Sequence, residues 1–332
     1  MSNQVLAGVD IGGTKTAVVL SLEPPQTLTR LAFPTCPEEG PGFAIKSIVE
    51  SLKKSLSSQG LAPADLAGIG ISCGGPLDPV RGLIQSPPNL PTWEEVPICH
   101  ILQTEFGAPC YLENDANAGA LAEAWFGAGR GANNLVFLTM GTGLGAGLIL
   151  DGQLHCGSSH AAGEIGHVRL TSYGPSGHGK VGSVEGWASG GGMAQVARMY
   201  AKSAALRGED TALSREPAIA ITARDVAEAA KAGDSVARAV VRVVGERLGE
   251  AMAILIDLIN PECIVVGGLA LRFGEDLLGP ARAIVNRDAL YSSAERCRIV
   301  PAALGEQIGD VAALCAAIKG LWRVPRPSPR AE

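Results

Sequence analysis

The sequence predicts an α/β protein built as two lobes that face each other across a cleft. With 332 residues, the chain is longer than one average hydrophobic core requires. A pattern of apolar strand, Gly/Thr-rich turn and second apolar strand occurs twice, at residues 6–20 and 135–150. Strands that alternate with helices follow each copy. This duplication predicts two α/β lobes, and the paired turns predict that phosphates bind in the cleft.

The first third of the chain begins as a meander of strands and continues as strands that alternate with helices. Apolar runs predict strands at 4–10, 16–22, 27–33, 66–72 and 109–112. Helical spacing predicts helices over 43–57, 95–106 and 113–126. The segment 73–79 is rich in Gly and Pro, which disfavour regular structure, so it is expected to be a loop.

The second strand–turn–strand pattern, at 135–150, opens the rest of the chain. Residues 151–190 are rich in Gly, Ser and His without periodicity, which predicts a long functional loop system or an insertion. Beyond it we expect a largely helical region at 188–259, strands at 262–266 and 297–301, and helices at 271–288 and 308–321. The tail at 323–332 contains three prolines and is expected to be disordered.

Composition and charge exclude several classes of protein. The net charge is −6 and the basic residues are scattered, so no basic face for nucleic acid is expected. No apolar run reaches the roughly 20 residues of a membrane helix. The eight cysteines form no Cys-x-x-Cys pair, and no signal-like segment opens the chain. We therefore expect a reduced, cytoplasmic protein that binds neither nucleic acid nor membrane.

The two Gly-rich turns predict a phosphate site. Each turn alone is typical of an ordinary β-hairpin. In the first turn, however, the Asp10 carboxylate and the Lys15 ammonium stand beside bare amides, which suits Mg²⁺ and phosphate oxygens. Neither turn matches a P-loop or a dinucleotide fingerprint. The expected phosphate contacts are Asp10, Gly12, Gly13, Thr14, Lys15, Gly141, Thr142 and Gly143.

Five motifs follow one another along the chain. They are Asp10-Ile-Gly-Gly-Thr-Lys15, Glu113-Asn-Asp-Ala-Asn-Ala118, Met140-Gly-Thr-Gly-Leu-Gly-Ala-Gly147, Gly163-Glu-Ile-Gly-His167 and Val265-Val-Gly-Gly268. In this order they resemble the motifs of the ROK family of repressors, open reading frames and sugar kinases, within the actin-like ATPase superfamily. The resemblance covers almost the whole chain and implies the two-lobed, ribonuclease H-like fold with a nucleotide and sugar cleft between the lobes.

The same resemblance implies a domain organisation. A small N-terminal lobe would comprise 1–115, joined by a returning C-terminal helix at about 305–322, and a large lobe would comprise 116–304. A homodimer is also implied. Gly267 and Gly268 would belong to the adenosine motif, although a Gly pair is equally typical of a strand-to-helix turn.

Phosphorylation of an alcohol requires a base near the hydroxyl and a metal on the phosphates. Asp115, at a strand-to-helix junction, is the residue that the resemblance makes the base; the alternative is that it only caps the helix. Sugar hydroxyls also need paired donors and acceptors. The sugar contacts implied by the resemblance are Gly75, Asn89, Asn114, Asp115, Glu164, His167 and Glu185. Trp93, close to Asn89, would either stack on the sugar or pack under its Pro-rich loop.

One departure from the family pattern concerns zinc. Many ROK proteins hold a structural Zn²⁺ with the motif histidine, here His167, and three cysteines, but those three positions are Ser176, His178 and Ser183. A serine hydroxyl is a poor zinc ligand, so structural zinc is disfavoured. A substitute site that uses His167 and His178, together with His155, His160 or Cys156, stays open. The competing interpretation is that these histidines bond loop carbonyls or the sugar.

The leading hypothesis is a kinase that uses ATP and Mg²⁺ to phosphorylate the 6-hydroxyl of a hexose, with glucose as the first substrate to test. Asp115 would be the general base, and Asp10 would hold Mg²⁺ through water. N-acetylmannosamine, N-acetylglucosamine, fructose or allose are alternative substrates, and polyphosphate is an alternative donor. A sugar-responsive repressor or a non-catalytic sugar-binding protein is a further alternative. The repressor is disfavoured because the first phosphate motif begins within ten residues of Met1, without a helix-turn-helix extension.

Overall fold

The computed structural model describes residues 4–214 and 221–322, and the tail expected to be disordered, 323–332, lies outside them. The chain divides into two compact units. The first unit is the chain up to Ala122 together with the part from Glu306 onward, and the second unit is Glu123–Gly305. The lobe boundaries inferred from the sequence, at 115/116 and 304/305, stay predictions.

The strands are β1 Val5–Ile11, β2 Lys15–Ser21, β3 Thr29–Pro34, β4 Leu66–Cys73, β5 Leu77–Asp78, β6 Leu83–Ile84, β7 Cys110–Asn114, β8 Leu135–Met140, β9 Leu144–Leu150, β10 Gln153–Leu154, β11 Ser176–Gly177, β12 Lys180–Val181, β13 Cys263–Val266 and β14 Arg298–Pro301. The helices are α1 Gly40–Ser58, α2 Ile98–Phe106, α3 Asp115–Phe126, α4 Val184–Ala188, α5 Gly190–Leu206, α6 Ala223–Lys231, α7 Ser235–Ile259, α8 Leu269–Phe273, α9 Glu275–Asp288, α10 Tyr291–Ala294 and α11 Ile308–Trp322. Within the described ranges, none of these helices combines the length and the apolarity needed to cross a membrane.

The first unit contains a five-stranded sheet in the order β3-β2-β1-β4-β7. Strands β3, β2 and β1 are antiparallel neighbours, whereas β1, β4 and β7 are parallel. Helix α11 packs on β1 and β4. It approaches closely because Gly70 has no side chain: a β-carbon built there would overlap the carbonyl oxygen of Ala313. The C-terminal helix thus covers the strands whose ends carry Asp10 and Asn114.

The second unit repeats this arrangement with the order β10-β9-β8-β13-β14. Strands β10, β9 and β8 are antiparallel, and β8, β13 and β14 are parallel. The two sheets therefore share one topology, which agrees with the duplication seen in the sequence. The predicted α/β class is confirmed.

Side-chain caps define the longest helix of the second unit. The Asp234 carboxylate accepts a hydrogen bond from the Ala237 amide (2.8 Å) at the start of α7. Asn260, with a φ of 51°, ends the helix in the left-handed conformation. Between these caps, α7 buries a row of apolar residues against α5, α6 and α9. This packing forms the core that supports the second sheet.

Three predicted elements are wrong in detail. Helix α2 begins at Ile98 rather than at 95, because Val96 instead exchanges backbone hydrogen bonds with Ile84 (2.9 and 3.0 Å). The helix expected over 271–288 is two helices, α8 and α9, separated by Gly274 with a φ of 53°. The loop system expected at 151–190 contains the short elements β10, β11, β12 and α4.

Candidate active site

The first Gly-rich turn joins β1 to β2 and is held from one side by Thr35. The Gly12 amide donates to the Lys15 carbonyl (3.1 Å), and the Thr35 hydroxyl donates to the Gly12 carbonyl (2.6 Å). Gly13 lies against Asn89, since a β-carbon built on Gly13 would stand 2.6 Å from the Asn89 β-carbon. Thr14 and Lys15 stay exposed. The turn is therefore rigidly held and presents donors to solvent, as a phosphate site requires.

Asp10, at the end of β1, has an unusual environment. Desolvation, reinforced by the nearby Asp115 and Asp310 carboxylates, raises the pKa of Asp10 from 3.8 to about 7, against the opposing effects of the Ser72 hydroxyl and Lys15. Gly309 at the start of α11 lies against the Asp10 carboxylate, and a β-carbon there would overlap it. A carboxylate with too little positive charge around it suits a divalent cation. Asp10 therefore fits its expected role at a Mg²⁺ site.

The other site residues expected in the first unit come together beside this turn. A β-carbon built on Gly74 would lie 3.8 Å from Asp115 Oδ2 and 3.9 Å from Asn89 Oδ1. One built on Gly75 would lie 3.5 Å from Asn114 Nδ2. Because Asn89 also touches Gly13, these side chains and the phosphate turn form one continuous patch.

Asn114 and Asp115 also act as helix caps. Asn114 Oδ1 accepts hydrogen bonds from the amides of Ala116 (3.0 Å) and Asn117 (3.4 Å). Asp115 Oδ1 accepts one from the Ala116 amide (2.8 Å). Asp115 is nevertheless exposed, so its carboxylate is accessible to a ligand. Capping and general-base catalysis are therefore compatible roles for Asp115.

The second Gly-rich turn, between β8 and β9, is anchored to the start of α5. The amides of Gly190 and Gly191 donate to the carbonyls of Gly141 (2.8 Å) and Thr142 (3.2 Å). Glu185 lies directly beside this turn: its Oε2 accepts a hydrogen bond from the Leu144 amide (3.2 Å). A β-carbon built on Gly143 would stand 2.6 Å from the same oxygen. An expected sugar contact and an expected phosphate contact are thus neighbours in the second unit.

The motif Gly163–His167 lies along β9 because its glycines allow close approach. A β-carbon built on Gly163 or Gly166 would overlap a carbonyl oxygen of β9. Ile165 is buried, while Glu164 and His167 are exposed. The motif therefore directs its two polar side chains outward next to the second turn.

The Gly267–Gly268 pair, expected in the adenosine motif, ends β13 beside β8. Gly267 donates its amide to the Leu138 carbonyl (2.9 Å). Gly268 has a φ of 62°, and a β-carbon there would overlap the Met140 carbonyl. The pair thus adjoins the second turn, and it also makes the strand-to-helix connection that the alternative interpretation predicted.

The positions that would bind zinc are occupied by a hydrogen-bonded network. Ser183 Oγ accepts from the Gly186 amide (3.1 Å) as the cap of α4. Gln195 exchanges two hydrogen bonds with the Ser176 backbone (3.0 and 2.8 Å). The His167 and His178 rings meet edge to face, 5.4 Å apart. Within 4–214 and 221–322 no group of three His, Cys, Asp or Glu side chains could hold a metal. These residues do not fit a zinc site.

Trp187 connects the loop that contains Thr171 to helix α7. Its Nε1 donates to Thr171 Oγ1 (2.9 Å), and the Arg247 guanidinium lies 5.0 Å from the centre of its ring. Tyr173 contacts the ring edge to face. A buried tryptophan therefore connects the segment to α7.

We accordingly expect the protein to be stable without zinc. A zinc-selective chelator should change Tm by less than about 1 °C, because Ser176 and Ser183 supply no thiolate for a structural zinc. Trp187→Ala should lower the free energy of unfolding by about 3 kcal/mol, whereas the matched His178→Ala should lower it by less than about 1 kcal/mol. Thermal melts, urea unfolding and zinc content by mass spectrometry test this expectation. One bound zinc per chain, with a lower Tm after chelation, would contradict it.

Sequence reasoning missed two buried carboxylates, Asp310 and Glu123. Asp310 is a buried carboxylate that accepts a hydrogen bond from Arg30 Nε (2.6 Å); its signal was that it is one of only two charged residues in the otherwise apolar helix α11. Glu123, fully buried in α3, accepts from the amides of Ala128, Ala303 and Leu304. No local pattern marks it. Trp93 is also fully buried, so it packs under its loop as one of the two interpretations proposed.

The chain is similar in sequence and in structure to members of one protein family. A family model described as ROK family matches residues 6–319. A glucokinase from Halalkalibacterium halodurans is 34% identical over 313 residues, 94% of each chain. A xylose repressor from Caldicellulosiruptor bescii is 34% identical over 244 residues, 73% of this chain but 60% of the repressor. The crystal structure of a ROK family glucokinase from Streptomyces griseus, in complex with glucose and AMPPNP, matches with a TM-score of 0.79 at 31% identity, covering 95% of this chain and 100% of that chain.

Proposed function

This chain belongs to the ROK family, and on that basis we propose that it is a sugar kinase that transfers the γ-phosphate of ATP to the 6-hydroxyl of a hexose. Family membership confirms the resemblance read from the five motifs. The matches to glucokinases in sequence and in structure support the actin-like ATPase fold and the sugar-kinase class. The substrate proposed first is glucose, because similar proteins are named glucokinases.

The observation that carries this proposal is the patch in the first unit. There the Asp115 and Asn114 side chains, Asn89 and the first phosphate turn are in contact with or adjacent to one another. A kinase needs a base, sugar hydrogen-bond partners and a phosphate cradle close together, because most of its catalysis comes from positioning and charge stabilisation. A protein that only bound sugar would not need the phosphate turn beside the aspartate.

In this proposal Asp115 accepts the proton of the 6-hydroxyl as the phosphoryl group transfers, and Asn114 and Asn89 bind other hydroxyls. In the second unit Glu185, Glu164 and His167 bind the sugar. The Gly141–Gly143 turn binds phosphates, and Gly267 and Gly268 approach the adenosine. Asp10 is the residue that would hold Mg²⁺, whose chemistry is to neutralise charge on the phosphates. The homodimer and the cytoplasmic location stay predictions.

The experiment that tests the proposal is a coupled assay for ADP release with ATP and Mg²⁺ over a panel of sugars. The panel comprises glucose, fructose, allose, mannose, N-acetylmannosamine, N-acetylglucosamine and xylose, and product phosphate is located by NMR. Polyphosphate replaces ATP in a second arm. Sugar-dependent turnover that yields a 6-phosphate supports the proposal, and the fastest sugar identifies the substrate. A folded protein without turnover on any sugar and donor contradicts it.

A second candidate function is a sugar-responsive regulator. It is favoured by one observation, the 34% identity to a xylose repressor. The same panel distinguishes the two candidates when calorimetric binding is measured beside turnover. Binding of a sugar without phosphorylation would favour the regulator.

A further inference from the structure

A buried ion pair joins the C-terminal helix to the strand that ends at the proposed base. Lys319 of α11 donates from Nζ to Glu113 Oε2 of β7. The two side chains are only 14% and 4% exposed. The residues are 206 positions apart in the chain, so this contact exists only because α11 returns to the first sheet.

Stability alone does not explain this pair. Removing two charges from water is costly, and well-packed apolar side chains of similar volume often replace such pairs at no loss. Packing between α11 and β7 is already close at the next position, where a β-carbon on Gly320 would overlap the Tyr111 ring. The other carboxylate oxygen of Glu113, Oε1, has hydrogen-bond partners of its own.

Glu113 Oε1 holds the junction between β7 and α3. It accepts hydrogen bonds from the Asn114 amide (3.1 Å) and from Asn117 Nδ2 (3.0 Å). Asn117 is itself buried and donates its amide to Asn114 Oδ1 (3.4 Å). One carboxylate thus bonds the residue before Asp115 and the residue two positions after it. The backbone that carries Asp115 is fixed on both sides.

We propose that Lys319 and Glu113 are positioning residues that set the orientation of Asn114 and Asp115 for the bound sugar. Lys319 holds the Glu113 carboxylate in one orientation, and Glu113 holds the first turn of α3. The inference rests on the proposed function, in which Asn114 binds the sugar and Asp115 is the base. Neither positioning residue touches the reacting atoms.

The test compares Lys319→Met, Glu113→Gln, the double variant and the conservative Lys319→Arg. Each single variant removes one member of the buried ion pair and leaves the other charge in place, so its Tm should fall. The double variant removes both charges of the pair and should recover most of the Tm. In the double variant we expect kcat to fall about tenfold and the KM for sugar to rise about fivefold, with the KM for ATP unchanged. Lys319→Arg should retain most of kcat. Lys53→Met with Glu105→Gln, which removes an exposed pair of the same unit, is the matched control.

Hydrogen exchange of the segment 110–118 provides a readout that does not depend on turnover. In the double variant its amides should exchange about tenfold faster than in the native protein, at matched global stability. If the native protein phosphorylates no sugar, the proposed function fails while this measurement still decides the role of the pair. A double variant with native KM for sugar, native kcat and native exchange would overturn the inference.

Discussion

Replacing Asp115 with asparagine is expected to lower kcat for hexose phosphorylation about a thousandfold, the typical contribution of a general base. Asn is nearly isosteric with Asp, and its Oδ1 can keep the hydrogen bond from the Ala116 amide (2.8 Å in the native protein). The start of α3 should therefore stay intact. What disappears is the ability to accept the proton of the sugar hydroxyl.

The measurements are steady-state kinetics and calorimetric sugar binding. We expect the Kd for sugar to change by less than about fivefold, because the asparagine side chain can still hydrogen-bond a hydroxyl. Asp151→Asn is the matched control: Asp151 lies in the turn after β9, at the opposite end of that strand from the second Gly-rich turn, and has a φ of 52° that Asn tolerates. Full activity of Asp115→Asn would refute the assigned base.

Replacing Asp10 with asparagine is expected to have opposite effects on activity and on stability. Activity should fall about a hundredfold or more, because the residue proposed to hold Mg²⁺ loses its charge. Stability without Mg²⁺ should rise at pH 8, because the Asp10 carboxylate is desolvated and lies near Asp115 and Asp310. The Ser72 hydroxyl can still donate to an asparagine oxygen.

The pH dependence of the free energy of unfolding follows from the pKa of Asp10, which is raised from 3.8 to about 7. Between these values the folded protein keeps a proton that the unfolded chain releases, so the free energy of unfolding falls as pH rises. The resulting penalty is complete above about pH 7 and absent below about pH 4. Asp10→Asn removes this penalty, so we expect a gain of up to about 4 kcal/mol at pH 8, at about 1.4 kcal/mol per pKa unit, and almost none at pH 4.

Urea unfolding in EDTA at the two pH values measures this difference, with Asp151→Asn again as the control. Mg²⁺ should also raise the Tm of the native protein more at pH 8 than at pH 6, since the cation binds the ionised carboxylate. The interpretation of Asp10 would be wrong if Asp10→Asn were less stable than the native protein at pH 8 without Mg²⁺.

Sequence reasoning predicted the elements whose residues pack with a regular period. The strands of both sheets except β10, and the helical region that contains α7, carry their apolar residues at such spacing, and their existence was predicted correctly. It failed where tertiary contacts decide local structure. Helix α2 starts late because Val96 pairs with Ile84, and the short elements of 151–190 depend on contacts with β9 and α5.

The sequence by itself determined the duplicated α/β pattern and the family, and it supplied the residues proposed for the candidate site. Gly-rich turns, capping Asn and Asp residues and motif order are local properties, so they can be read along the chain. Only the tertiary structure decided which charged groups meet. Asp310 bonds Arg30 across 280 positions and adds to the desolvation and the Asp115 charge that raise the pKa of Asp10, and Lys319 reaches Glu113. These encounters depend on α11 returning to the first sheet, and charge interactions are set by distance in space rather than along the sequence.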